Sequence, residues 1–228
     1  MKSRAVALVV LAGAFLAACG GAAAPAQSSA PSAPSATATG TPASTTSGKG
    51  SAWIIASASK ATVSVREQLV GVSLPSDAVL TATGATGAFG VNADGTFTSD
   101  SKISIDLTTL ASDQRDRDNF IKNSTLQVRQ YPTATFVPKQ ATGLRLPLPS
   151  GDVTFTLAGA MTVHGVTKDV TFDVVAKRSG GQLTAIATAR PDWKFGDFGV
   201  TAPAVPFRVV SVTDDIRLVI EIVANAAG

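Results

Sequence analysis

The chain has 228 residues, of which 45% are hydrophobic and 15% charged, with 19 Lys and Arg against 16 Asp and Glu, one Cys and one His. A formal charge of +3 lacks the basic excess that nucleic-acid binding leaves in a sequence. One Cys excludes a disulfide within the chain, and with one His it is poor material for a metal site.

Lys2 and Arg4 open the chain, residues 5–16 form an apolar run, and Ala17-Ala18-Cys19 follows. A positive start, a short apolar stretch and small residues at a cut point describe a secretory signal peptide over residues 1–18. The run of about 12 residues is too short for a bilayer core, which needs about 20. Lys2 and Arg4 are the only charges before Cys19, so cleavage there leaves 17 basic against 16 acidic residues, a formal +1. Leu16-Ala17-Ala18-Cys19 resembles the lipobox of bacterial lipoproteins, whose cysteine carries diacylglycerol and becomes the mature N-terminus. A plain secretory signal beside a free cysteine is the alternative. Acyl chains on Cys19, at ~0.8 kcal/mol per buried methylene, would anchor an extracytoplasmic protein to the bacterial cell membrane.

Residues 19–50 comprise Cys19 and a linker of Gly, Ala, Pro, Ser, Thr and one Gln, with Lys49 as its one charge. Such a segment buries too little apolar surface to offset the entropy of ordering, so a disordered tether is expected. From Trp53 onward the composition is that of a folded chain, and residues 51–228 are expected to form one domain. About 175 residues is the size of one sandwich or barrel.

Within that domain, apolar and polar residues alternate with period two, the mark of half-buried antiparallel strands. Ile103, Ile105 and Leu107 form one such series. Val153, Phe155 and Leu157 form a second, and Val170, Phe172 and Val174 a third. Ile216, Leu218, Ile220 and Ile222 close the chain. Residues 62–69, 79–91, 133–138 and 182–190 are further strand candidates. Asn92-Ala93-Asp94-Gly95 and Ser179-Gly180-Gly181 read as turns, and His164-Gly165 leaves so little slack that its flanking strands must form a hairpin. Gly84, Gly87 and Gly90 read as bulges or close backbone approaches. Only residues 113–123 read as a helix, with Phe120 and Ile121 able to cap one end of the sheet.

About eight strands joined in sequence predict an all-β fold with one short helix. An antiparallel up-and-down barrel is expected, although alternation also permits a sandwich. Ala185, Ala187 and Ala189 share a face with Leu183. Turned inward, that face leaves either a tunnel or a gap covered by a bulky partner such as Trp193. Catalytic signals are weak. The single His164 sits in a tight turn, there is no nucleophile elbow or phosphate loop, and Arg115-Asp116-Arg117-Asp118 reads as an exposed ion-pair array.

Three segments together resemble the YceI-like lipid-binding family. They are residues 159–168 (GAMTVHGVTK), Arg117-Asp118 with Tyr131-Pro132-Thr133-Ala134-Thr135-Phe136, and residues 195–200 (FGDFGV) with residues 212–216 (VTDDI). The resemblance runs from about residue 53 to 223. It implies an extended lipocalin-like barrel holding a long apolar molecule, a polyisoprenoid or an isoprenoid quinone, with no covalent cofactor besides the lipid on Cys19. Phe89, Phe97, Ile103, Ile105, Phe136, Phe155, Leu157, Phe172, Val174 and Leu218, chosen by alternation and size, are the expected ligand-lining residues. The family often carries a histidine after Arg-Asp, where this chain has Phe120, and another near the end of the first strand, which this chain lacks. A more apolar pocket mouth follows. Oligomeric state stays open, with a homodimer of barrels common in the family.

The resulting expectation is a membrane-anchored, extracytoplasmic carrier of an apolar lipid. Its alternatives are an envelope stress or interaction module that uses the barrel as a scaffold, and an enzyme acting on lipid with His164 as base.

Overall fold

The computed structural model describes residues 51–149 and 151–227. The signal peptide, Cys19 and the linker lie outside the described residues.

Antiparallel pairing runs almost in chain order. The strands are β1 (Ser51–Ile55), β2 (Lys60–Leu69), β3 (Ser76–Ala82), β4 (Thr86–Val91) and β5 (Lys102–Asp106). After the α-helix α1 (Arg115–Phe120) come β6 (Thr133–Thr142), β7 (Asp152–Val163), β8 (Val166–Ser179), β9 (Gln182–Ala189) and β10 (Val209–Ala226). Strands β1, β4, β5, β6, β7, β8, β9 and β10 close into a ring of eight, because β10 pairs back onto β1. The barrel expected from the sequence is therefore the fold.

Two of its staves are bent. Strands β1 and β2 both pair with β10 and are interrupted at residues 56–59. The break leaves Val223 on β10 facing a gap. Ser59, fully buried there, donates its hydroxyl to the Val223 carbonyl (3.0 Å) and accepts the Val223 amide (2.9 Å). The Val223 carbonyl also accepts the Ala56 amide (2.7 Å), so the buried hydroxyl chiefly supplies the acceptor its amide lacks. Strands β3 and β4 are bent in the same way at residues 83–85, with β3 on β2 and β4 on β1. At one end the barrel closes through β1 and β4. At the other, β2 and β3 take their place, and β3 meets the chain after β5 through the Thr81–Ala111 bridge, with N···O distances of 2.8 and 2.9 Å.

Local chemistry accounts for the punctuation. The β7–β8 hairpin turns on His164 (φ 51°) and Gly165 (φ 77°), the two positive values a type I′ turn requires. Gly87 allows a close approach: a β-carbon there would stand 2.1 Å from the Lys102 carbonyl oxygen. Other boundaries differ from the sequence reading. Leu107 opens a single 3-10 turn, Leu107–Thr109, where Asp106 accepts the Thr108 amide and ends the strand. The helix is shorter than residues 113–123 and passes into a π-helical turn, Ile121–Thr125. Strand β1, before the expected first strand, carries Trp53 and Ile55 into the core.

Candidate functional site

The barrel interior holds two spaces. The larger, about 730 Å³, lies at the end built from β2 and β3. Period-two alternation turns Ala61, Val63 and Val65 of β2 inward opposite Ala78, Leu80 and Ala82 of β3, and all six line it. Ile105, Ala134, Met161 and Leu218 complete the wall, and Phe120, Ile121 and Leu126 close over it from α1 and the turn beyond. Without an occupant, the apolar side chains around this space lack packing partners on one side. The geometry suits an apolar occupant.

Polar groups stand at the rim. Arg117 of α1 donates to Glu67 of β2 (2.6 Å) and to Asp113 (2.7 Å), with Glu67 buried. Asp118 is also buried and accepts the Ser112 amide (2.8 Å) and hydroxyl (2.6 Å). The reading of residues 115–118 as an exposed array is thus corrected: Arg115 and Asp116 are exposed, whereas Arg117 and Asp118 turn inward to fix the helix. Asp116 pairs with Arg208 (2.9 Å), tying α1 to the chain before β10. Around this mouth Val70, Val72 and Phe207 project apolar side chains, and Phe207 is 95% exposed at a positive φ of 65°.

The smaller space, about 90 Å³, lies toward the other end. Phe172 separates the two. Its ring meets Phe136 edge-on at 5.4 Å and Trp193 at 6.1 Å, and Trp193 in turn meets Phe198 at 4.8 Å. Of the expected ligand-lining residues, Ile105 and Leu218 face the larger space. Phe89, Phe97, Ile103, Phe136, Phe155, Leu157 and Val174 face the smaller one, and Phe172 lies in the layer between them. The β9 alanines do point inward, but Ala185 and Ala187 share the small space with Trp53, Phe136 and Phe155. The large space comes instead from Ala61, Ala78, Ala82 and Ala134. Alternation continuing one residue before the expected strands 62–69 and 79–91 is the available signal for Ala61 and Ala78.

The motif segments both line the large space, through Arg117, Ala134, Met161, Phe195 and Phe198, and contact one another. Tyr131 packs edge-on against His164 at 4.6 Å. His164 lines neither space, and its Nε2 is buried with no hydrogen-bond partner among the described residues. Lys168 pairs with Asp197 (2.7 Å), and Asp197 also accepts the Lys194 amide (2.8 Å). These bonds hold the Asp197 carboxyl below the usual carboxylate range, the Lys168 hydrogen bond contributing most. Asp214 accepts the Phe195 amide (2.9 Å), and Asp215 pairs with Lys194, whose ammonium it raises above its ordinary pKa. Together these contacts clamp the 3-10 turn Phe195–Phe198 that delivers Trp193 and Phe198 to the interior. Among the described residues no group of three or more His, Cys, Asp or Glu side chains could hold a metal ion.

A UPF0312 protein of Pseudomonas putida is 34% identical over 141 residues, 56% of this chain and 68% of its own length. Another, from Pseudomonas syringae, is 32% identical over 123 residues, 48% of this chain and 61% of its own. Among solved structures, a polyisoprenoid binding domain from Saccharophagus degradans, implicated in plant cell wall breakdown, superposes with a TM-score of 0.57 at 13% identity, covering 78% of this chain and all of that one. BcnA of Burkholderia cenocepacia gives a TM-score of 0.56 at 17% identity, over 75% of this chain and 99% of its own. A Campylobacter jejuni YceI protein gives 0.51 at 19% identity, over 70% and 93%. The family model for the YceI-like domain matches residues 53–224, from the first buried tryptophan to the last buried residue of β10, and the chain belongs to that family.

Proposed function

We propose that the protein binds a long apolar lipid of polyisoprenoid type in the larger space and carries or stores it without chemical change. The observation that carries this reading is the 730 Å³ space lined mainly by apolar side chains. At roughly 30 Å³ per heavy atom, the share of one small group in a liquid, it accommodates on the order of 25 carbons. Removing such a chain from water yields ~25 cal/mol per Å² of apolar area, which needs no specific polar contact. Ile105 and Leu218 are among the side chains that meet the hydrocarbon, and the polar head stays near the Arg208–Asp116 pair. The remaining expected ligand residues form the layer and the chamber behind it. The reading takes support from the binding activity named for the Saccharophagus domain.

The same reading places the protein outside the cytoplasm, held to the membrane by acylated Cys19, so that the cavity works beside the bilayer that supplies its cargo. Solvent extraction of natively purified protein followed by mass spectrometry tests the cargo, and an isoprenoid lipid is expected in stoichiometric amount. Recovery of no lipid, together with failure of added isoprenoids to bind, overturns the proposal. Fractionation of cells expressing Cys19→Ser tests the anchor: the variant is expected to leave the membrane fraction, and its retention there counts against lipidation.

A further inference from the structure

The layer between the two spaces is itself informative. We propose that it is a floor that sets the longest hydrocarbon chain the protein accepts. The proposal rests on the lipid reading given above.

Phe172 is 1% exposed and borders neither space, Met161 and Trp193 face the larger space, and Phe136 faces the smaller. A chain entering past Phe207 therefore reaches Met161 and Trp193 and stops. Ala187 and the small chamber lie behind the same layer. Both chambers are lined by apolar side chains at this depth, so solvation gives the chain no reason to stop there, and only packing does.

The floor is also braced. The Phe136 ring occupies the room that Gly159 leaves by having no β-carbon, and its edge meets Phe172 at 5.4 Å. Trp193 is held through its backbone, its amide donating to the Ile216 carbonyl (2.9 Å) and its carbonyl accepting the Ile216 amide (2.8 Å). Close-packed interiors do not deform continuously, so a ring held on two sides acts as a wall. Cargo length is then set by the depth from the Phe207 rim to Met161.

The test uses a graded series of isoprenoid alcohols, farnesol, geranylgeraniol and solanesol, bound to delipidated full-length mature protein and read by native mass spectrometry. In the wild type, affinity is expected to rise with chain length and then level off. Phe172→Leu and Met161→Ala open the floor and are expected to move the plateau to longer chains. The longest alcohol should gain on the order of tenfold in affinity, the equivalent of a few more buried methylenes. Ala187→Val adds bulk only behind the floor. Alone it leaves the wild-type profile unchanged, and combined with Phe172→Leu it removes the gain.

Shortening of the profile by Ala187→Val alone overturns the floor, because the ligand would then already pass Phe172. An unchanged profile in folded Phe172→Leu and Met161→Ala overturns it as well. Should Phe172→Leu fail to fold, Met161→Ala and Ala187→Val decide between the same outcomes. Failure of the wild type to bind any alcohol overturns the lipid reading and the floor with it. A bound series with an unshifted plateau overturns the floor alone.

Discussion

The ring of Phe136 on β6 lies against the α-carbon of Gly159 on β7: a β-carbon added to Gly159 would come within 2.5 Å of the ring's Cε2 and Cζ and 2.6 Å of the Val137 carbonyl oxygen. Each residue comes from a different motif segment, and each explains the other. The glycine is needed because the phenyl ring lies over β7 to reach Phe172 on β8, the next strand.

Gly159→Ala is accordingly expected to destabilise the fold by about 1–3 kcal/mol, the usual cost of forcing an extra carbon into a packed core. Urea denaturation measures it. Gly181→Ala is the matched control, since a β-carbon there meets nothing within 4 Å, and a shift within about 0.5 kcal/mol is expected. Equal effects at the two positions would dissociate Gly159 from the ring.

Ser59→Ala leaves the Val223 amide, inside the bend between β1 and β2, without its hydroxyl partner. A loss of about 1–3 kcal/mol is expected for a buried donor left unpaired. Hydrogen exchange localises the effect: the Val223 amide should lose protection beyond the global change. Unaltered protection there would mean that the bend is held by other bonds.

Arg117→Leu breaks the ion pair at the cavity rim and strands Glu67, whose side chain is 8% exposed. The single variant is expected to lose about 3 kcal/mol, as stranded buried charges do. The double variant Glu67→Leu/Arg117→Leu should recover part of that loss, because no uncompensated charge remains. Equilibrium unfolding of both single variants and the double one completes the cycle. Additive losses would show that the pair does not act as a unit.

Asp197 carries a pH dependence of defined sign. Its carboxyl is held below the ordinary range by Lys168 and the Lys194 amide, so the folded state binds fewer protons than the unfolded one through that window. The stabilisation is fully present above the unfolded value, near 4, and fades as pH falls through the lower folded value. The stability difference between wild type and Asp197→Asn should therefore be largest at neutral pH and shrink in acid. Salt should weaken it, since Asp197 is one-third exposed and Lys168 more so. A difference that is constant from pH 7 to strong acid would show that the fold does not depress the Asp197 carboxyl.

Much of this molecule follows from the sequence by itself. Alternation in Val153-Phe155-Leu157 and Val170-Phe172-Val174 identified β7 and β8, and the two-residue His164-Gly165 turn joined them. Strand periodicity and turn chemistry are local properties, readable within a few residues. The motif segments led to the family for the same reason. The location of the large space is different, because whether a small residue leaves room depends on what reaches toward it from across the barrel. Ala185 and Ala187 share their chamber with Trp53, Phe136 and Phe155, which arrive from three other strands. Ala61 and Ala78 line the roomy end, where small side chains from β2 and β3 face the interior. Packing across the barrel, between residues far apart in the chain, decided which alanines are covered and which leave room for a ligand.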